Sequence, residues 1–269
     1  MANATKQGGT LDPVALQFSG LVKSQDGVFY RDLNKNSRMD VYEDPRQPVE
    51  ARVEDLLAQM TLEEKAGLMF INGTVVNDDG SLDDRSKPGQ PQLVAKTQMT
   101  EQKMNHFNLW EIPAAGAVST WYNRLQQFAE TTRLGIPVTI SSDPRSGFSH
   151  YIFDKVSQDF SRWPNAIGLG AIGDPALVRQ FGDIVRREYE AVGIRMALHP
   201  QIDLATEPRW PRISGTFGED AQLSATLAKA YIQGFQGERL GPHSVACMTK
   251  HFPGGGPQKD GLDSHFEFH

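Results

Sequence analysis

Residues 243–256 read His-Ser-Val-Ala-Cys-Met-Thr-Lys-His-Phe-Pro-Gly-Gly-Gly. The apolar run 245–248 has the make-up of a short buried strand. It ends on the pair Lys250 and His251, and a loop of Pro253 and three glycines follows. In α/β folds, polar groups at the carboxyl end of a buried parallel strand stand where the functional site is built.

Upstream of this strand, strand-like and helix-like patterns alternate. The stretch 219–236 carries Leu223, Leu227, Tyr231 and Phe235 on one helical face. The stretch 194–204 reads as a strand. Before it, Val178, Phe181, Val185, Tyr189 and Val192 mark a helix. Asp174 and Pro175 supply its N-cap and first turn, and Gly193 ends it. Residues 136–142 read as a further strand, 112–119 as another, and Trp121, Leu125, Phe128 and Thr132 as the helix between them. A first strand is expected at 68–72. It follows a helix with Val49, Val53, Leu56, Leu57 and Met60 on one face and a short second helix opened by the capping box Thr61/Glu64. Residues 73–108 read as a long polar loop.

This alternation predicts an α/β protein with a parallel sheet. About five strands at roughly 40-residue intervals correspond to an incomplete (β/α)8 barrel of the TIM type. A doubly wound open sheet is the alternative, weakened because no Gly-x-Gly-x-x-Gly follows a strand. Two regions are expected: an irregular N-terminal extension over 1–47 and the partial barrel over 48–269.

With 269 residues, 39% of them hydrophobic, the chain can bury a large core. A net charge of −6 without a basic, aromatic-rich stretch argues against a nucleic-acid partner. No apolar run of about 18 residues predicts a membrane span. The polar start MANATKQGGT is no intact signal peptide, though it suits a mature terminus. The single cysteine, Cys247, can form no internal disulfide and is expected in the core. The glycines 254–256 lack the Gly-Lys-Ser/Thr of a phosphate loop, Ser146-Gly147 lacks a nucleophile elbow, and His199, His243, His265 and His269 show no zinc-site spacing.

The strand ends collect the chemistry. Asp143 and Arg145 follow one strand, Asp203, Glu207, Arg209, Trp210 and Arg212 the next, and Lys250 and His251 the last. Carboxylates and cationic donors bind hydroxyl groups through charge-assisted hydrogen bonds, and an indole offers a flat apolar face. Such a set suits a polyol. Structural ion pairs around the loops are the bland alternative.

Residues 52–67 (RVEDLLAQMTLEEKAG), 207–220 (EPRWPRISGTFGED) and 250–256 (KHFPGGG) together resemble the N-terminal barrel domain of glycoside hydrolase family 3, whose members include β-glucosidases, β-xylosidases and exo-glucanases. The resemblance implies retaining hydrolysis of terminal, non-reducing β-D-glucosyl residues by the full-length protein, with a carbohydrate as partner and no cofactor for catalysis. It implies that Asp143 accepts hydrogen bonds from sugar hydroxyls and that Arg212, Lys250 and His251 donate to them. Arg209 and Trp210 would shape the same loop.

Departures from the family pattern are visible. Ser149 stands where many β-glucosidases have an Arg, so Arg145 is the candidate replacement. Gly255 stands where the family's N-acetylglucosaminidases carry a His, which disfavours that branch. No Asp-Trp pair occurs, and Asp260, Asp263 and Glu267 follow no strand signal. The nucleophile and acid/base are therefore expected outside this chain, in three further strands and a following domain, with this chain alone inactive. A catalytically inactive sugar-binding protein, a β-xylosidase or exo-glucanase, and a calcium-stabilised interaction module are the alternatives. The family context implies a secreted or periplasmic location.

One motif stands apart. Residues 32–43, Asp-Leu-Asn-Lys-Asn-Ser-Arg-Met-Asp-Val-Tyr-Glu, place Asp32, Asn34, Asn36, Asp40 and Glu43 at EF-hand positions 1, 3, 5, 9 and 12, with the Arg38 carbonyl at position 7. Ser37 replaces the usual Gly. A structural Ca2+ that pins the N-terminal segment is the expectation, and an Asn/Asp-rich turn is the alternative.

Overall fold

A computed structural model describes residues 21–83, 94–147 and 159–265. Ser149, Glu267 and His269, and part of the 73–108 stretch, lie outside the described residues.

Five parallel strands run in sequence order across one sheet. They are β3 (Ile71–Thr74), β4 (His106–Leu109), β5 (Thr139–Ser142), β6 (Ile194–Ala197) and β7 (Ala246–Cys247). A small antiparallel pair, β1 (Leu21–Lys23) and β2 (Phe29–Arg31), precedes them. The helices are α1 (Val49–Gln59), α2 (Leu62–Leu68), α3 (Ala95–Glu101), α4 (Ala115–Thr131), α5 (Ala166–Ile172), α6 (Pro175–Ala191) and α7 (Ala221–Gln236). A parallel sheet needs crossover connections, and helices in those crossovers cover the strands. The strands are correspondingly apolar inside: Phe107, Leu109, Ile140, Ile194, Ala197 and Val245 are buried. Val118, Trp121 and Leu125 of α4, Val178, Val185 and Tyr189 of α6, and Leu227 and Phe235 of α7 close over them.

Local signals set the helix ends. The Asp174 carboxylate accepts the backbone N–H of Ala176 at 2.8 Å, which caps α6 with Pro175 in its first turn. Gly193 leaves α6 at φ +88°, a conformation that disfavours any side chain. At the crossing of α6 and α7 a methyl on Gly234 would stand 2.5 Å from the Arg179 carbonyl oxygen. The Thr61/Glu64 capping box forms as its spacing predicts, with Glu64 Oε2 accepting the Thr61 N–H at 2.9 Å.

Three assignments differ from the sequence reading. The stretch 112–119 is not a strand: α4 begins at Ala115, and the strand lies at His106–Leu109 in the stretch read as loop. Four residues with two polar members carry too little periodicity to be seen. The first strand starts at Ile71, because α2 continues through Leu68. In α1 no residue is buried, so the apolar stripe of Val49, Val53 and Leu57 is open among the described residues. On the outer strand β3 and just before it, Met69, Phe70 and Ile71 are also exposed.

The 32–43 loop packs at the amino-terminal end of β5, against the turn that feeds it. Tyr42 Oη donates to the Leu134 carbonyl at 3.3 Å, and a methyl on Gly135 would stand 2.9 Å from Leu33 Cβ. This loop therefore sits away from the carboxyl ends of the strands.

Candidate active site

The carboxyl ends of β4 to β7 bring four distant stretches together. Lys250 is fixed by backbone pairing: its N–H donates to the Pro200 carbonyl at 3.0 Å, and its carbonyl accepts from Ile202 N–H at 2.7 Å. Its Nζ donates to Asp143 Oδ1 at 2.9 Å across 107 residues of sequence. Asn108 Nδ2 donates to Asp143 Oδ2 at 3.0 Å, and Ser141 Oγ donates to Asn108 Oδ1 at 2.9 Å. Both members of the Asp143–Lys250 pair keep 16% of their side-chain surface exposed, so the pair is sheltered yet reachable.

A second chain of contacts lies beside it. Asp203 Oδ2 takes His251 Nδ1 at 2.7 Å, and its Oδ1 takes the Gly255 N–H at 2.7 Å. Burial alone would raise the Asp203 carboxyl, but the His251 and Gly255 donors outweigh it and hold the group below its usual range. Arg212 Nη1 meets His251 Nε2 at 3.2 Å. Behind it, buried Asp263 accepts the Trp210 indole N–H at 3.1 Å and lies 3.8 Å from Arg212 Nε.

A third group supports Asp143 from below. Tyr189 Oη donates to the Asp143 carbonyl at 2.9 Å. Its single proton is then committed, so its oxygen accepts the Nε2–H of His199 at 3.1 Å, and Tyr231 Oη donates to His199 Nδ1 at 2.6 Å. The ring is a neutral Nε2–H tautomer, fully sealed. Burial, then the nearby charges of Lys250 and Arg145, push its pKa well below the histidine range. Arg145 is itself buried and donates Nε to Ser142 Oγ at 2.7 Å and Nη2 to the Leu109 carbonyl. It braces the β4 and β5 ends.

The sequence-derived residues thus divide. Asp143, Lys250, His251 and Arg212 meet at the strand ends. Trp210 does not offer a ring face: it is 2% exposed, with its N–H turned to Asp263. Arg209 points outward with 65% of its side chain exposed and pairs with Glu207 at 2.9 Å, which lowers the Glu207 carboxyl to about 2. Asn108, Tyr189, His199 and Asp263 were not singled out for the site. Asn108 was hidden with its strand, and a buried His between two tyrosines leaves no sequence signal. Cys247 is half-buried, and burial raises its thiol to about 12, so it is no nucleophile.

A cavity of about 70 Å³ opens beside the Asp143–Lys250 pair, between the 144–147 loop, Pro200–Gln201 and helices α5, α6 and α7. Ser146 Oγ, Asn165 Oδ1 and Gln201 Nε2, from residues lining it, have no partner among the described residues. Its size suits a few water molecules and not a sugar ring.

The 32–43 loop gathers the oxygens that its spacing predicts, but they serve the loop's own backbone N–H groups and side-chain amides. Asp32 accepts from the N–H groups of Asn36 and Ser37 at 3.0 and 2.9 Å. Glu43 Oε1 accepts from Leu33 N–H at 2.6 Å, and its Oε2 from Asp40 N–H at 3.0 Å. Asp40 Oδ2 accepts from the side-chain amides of Asn34 and Asn36 at 2.5 and 2.7 Å. Among the described residues no three His, Cys, Asp or Glu side chains stand close enough together to hold a metal.

A parallel α/β sheet whose hydrogen-bonded polar groups converge at neighbouring strand ends has its candidate site on the carboxyl face of the sheet. Comparison with known proteins places the chain. The family model for the glycosyl hydrolase family 3 N-terminal domain matches residues 111–269. A probable beta-glucosidase C of Aspergillus oryzae is 48% identical over 87% of this chain, and a periplasmic beta-glucosidase/beta-xylosidase of Dickeya chrysanthemi is 46% identical over 89%. A solved family 3 beta-N-acetylglucosaminidase from Paenibacillus superposes with a TM-score of 0.59 at 27% identity, covering 72% of this chain and 34% of that one. The chain belongs to glycosyl hydrolase family 3. It spans 36% of the length of the Aspergillus relative and 37% of the Dickeya relative.

Proposed function

We propose that this chain carries the sugar-binding part of a retaining β-glucosidase, which removes terminal, non-reducing β-D-glucosyl residues. The observation that carries the reading is the Asp143–Lys250 pair, sheltered and accessible at adjoining strand ends. Asp143 would accept from sugar hydroxyls, and Lys250 and Arg212 would donate to them. Arg212 takes the Nε2 lone pair and Asp203 the Nδ1 proton, so His251 would orient these two groups and not itself donate to a sugar hydroxyl.

Double displacement needs a free nucleophilic carboxylate and an acid/base about 5 Å apart. Asp143, Asp203 and Asp263 are each committed to two or more donors. The proposal therefore assigns the nucleophile and acid/base to parts of the full-length protein beyond these residues, where further strands would also cover the exposed Met69 and Phe70. The names of the Aspergillus and Dickeya relatives support a β-glucoside as substrate, with β-xyloside second, and the Dickeya name supports a periplasmic or secreted location. Proton NMR of the first-formed sugar tests the reaction: the full-length protein should release β-glucose from a β-glucoside, and α-glucose as the first product would exclude retention. We further propose a structural Ca2+ at the 32–43 loop, on the strength of its ligand spacing. Binding would have to draw Asp40 and Glu43 away from their present N–H donors.

A further inference from the structure

We propose that Asp263 is a positioning residue for this sugar site: it seats Arg212 so that the guanidinium fixes the tautomer of His251. The proposal rests on the sugar-site reading above.

Asp263 follows no strand and stands 12 residues beyond His251 in the chain, yet it is only 2% exposed. A buried carboxylate is costly unless donors surround it. Here Trp210 Nε1–H donates to Oδ2 at 3.1 Å, and the backbone N–H of His265 donates to Oδ1 at 3.0 Å. The His265 ring meets Oδ1 at 2.5 Å, and Arg212 Nε stands 3.8 Å from Oδ2. Burial alone would raise the carboxyl, but these donors outweigh it, and the group is held below its usual range. Asp263 is thus an anion at neutral pH, against an Arg212 side chain that is itself 9% exposed.

The consequence falls on His251. Guanidinium nitrogens only donate, so Arg212 Nη1 at 3.2 Å requires a lone pair on Nε2. The ring proton then resides on Nδ1, facing Asp203 Oδ2 at 2.7 Å. The alternation Asp203, His251, Arg212, Asp263 orders acceptor, ring, donor, acceptor in one line. Asp203 and Arg212 face His251, with Lys250 its chain neighbour and Asp263 behind Arg212. Without the Asp263 anion Arg212 loses one of the groups that hold it, and the donor on His251 Nε2 is displaced.

The test uses the full-length enzyme and the nearly isosteric Asp263→Asn variant. KM and kcat for p-nitrophenyl β-D-glucoside are measured from pH 5 to 8, beside wild type and Asp143→Asn. The expected result is a KM raised roughly ten- to hundredfold, the scale of one charged hydrogen bond, with kcat less affected. Asp263→Glu should restore part of the loss. A residue that merely stabilised the fold would lower the melting temperature and leave the KM of the folded enzyme in place. If Asp263→Asn does not fold, Arg212→Gln reads the same rise in KM from the other end of the pair. An unchanged KM in Asp263→Asn, with Asp143→Asn impaired, overturns the positioning role and leaves the sugar site standing. Wild-type behaviour in both variants overturns the sugar-site reading beneath it.

Discussion

His199 makes the pH dependence of stability calculable. Its ring is sealed between Tyr189 and Tyr231, with both nitrogens occupied and its pKa held well below the ordinary histidine value by burial, then by Lys250 and Arg145. Below pH 6.5 the unfolded chain takes up a proton at this ring and the folded protein does not. The unfolded state then binds more protons, so stability falls as pH falls, by about 1.4 kcal/mol per unit once well below 6.5. Between pH 7 and pH 5 the loss from this ring alone is about 2 kcal/mol, and above pH 7 its contribution is flat. The carboxylates held low, Asp203, Glu207 and Asp263, lose their contribution at still lower pH. His106 is lowered by burial as well, so the comparison must be made against a variant. His199→Gln keeps one donor and one acceptor but cannot titrate. Urea unfolding at pH 5, 6 and 7 should find it less stable than wild type at pH 7 by about 1–3 kcal/mol, with the gap narrowed by about 2 kcal/mol at pH 5. A gap that stays constant with pH would refute the neutral, sealed ring.

Other expectations are equally direct. Gly234→Ala places a methyl 2.5 Å from the Arg179 carbonyl oxygen and 2.8 Å from Gly182 Cα, so despite the better helix propensity of Ala it should lower unfolding free energy by about 1–3 kcal/mol in denaturant titration. Phe235→Ala empties a fully buried position packed on Tyr231, and a loss of about 3–5 kcal/mol is expected in the same assay. Calcium at a hundredfold excess over its dissociation constant should stabilise the protein by about 2.7 kcal/mol, and Glu43→Gln should remove the effect. Equal melting temperatures in calcium and in chelator would leave 32–43 a self-bonded turn.

How far the fold could be read depended on the length of each signal. Helix α6 announced itself through Asp174, Pro175, five apolar residues on one face and Gly193, and the parallel sheet followed from the alternation around it. The strand at His106–Leu109 has four residues and no flanking punctuation, so a neighbouring apolar stretch was read in its place. That slip concealed Asn108. Asp143 and Lys250 were legible because strand ends are where α/β sheets expose side chains. Trp210 shows the limit of residue type alone: an indole suits a sugar face, but here its N–H is drawn inward by Asp263, whose burial only the fold reveals. His199 has no local pattern either, since its partners Tyr189 and Tyr231 come from two different helices.

The central claim is that the Asp143–Lys250 pair holds the terminal sugar. The most direct measurement is kcat/KM of the full-length protein on p-nitrophenyl β-D-glucoside, wild type against Asp143→Asn. Loss of the charge that both Lys250 and the sugar hydroxyls use should lower kcat/KM at least about a hundredfold, roughly two charged hydrogen bonds. Asp143→Asn activity within twofold of wild type would contradict the account.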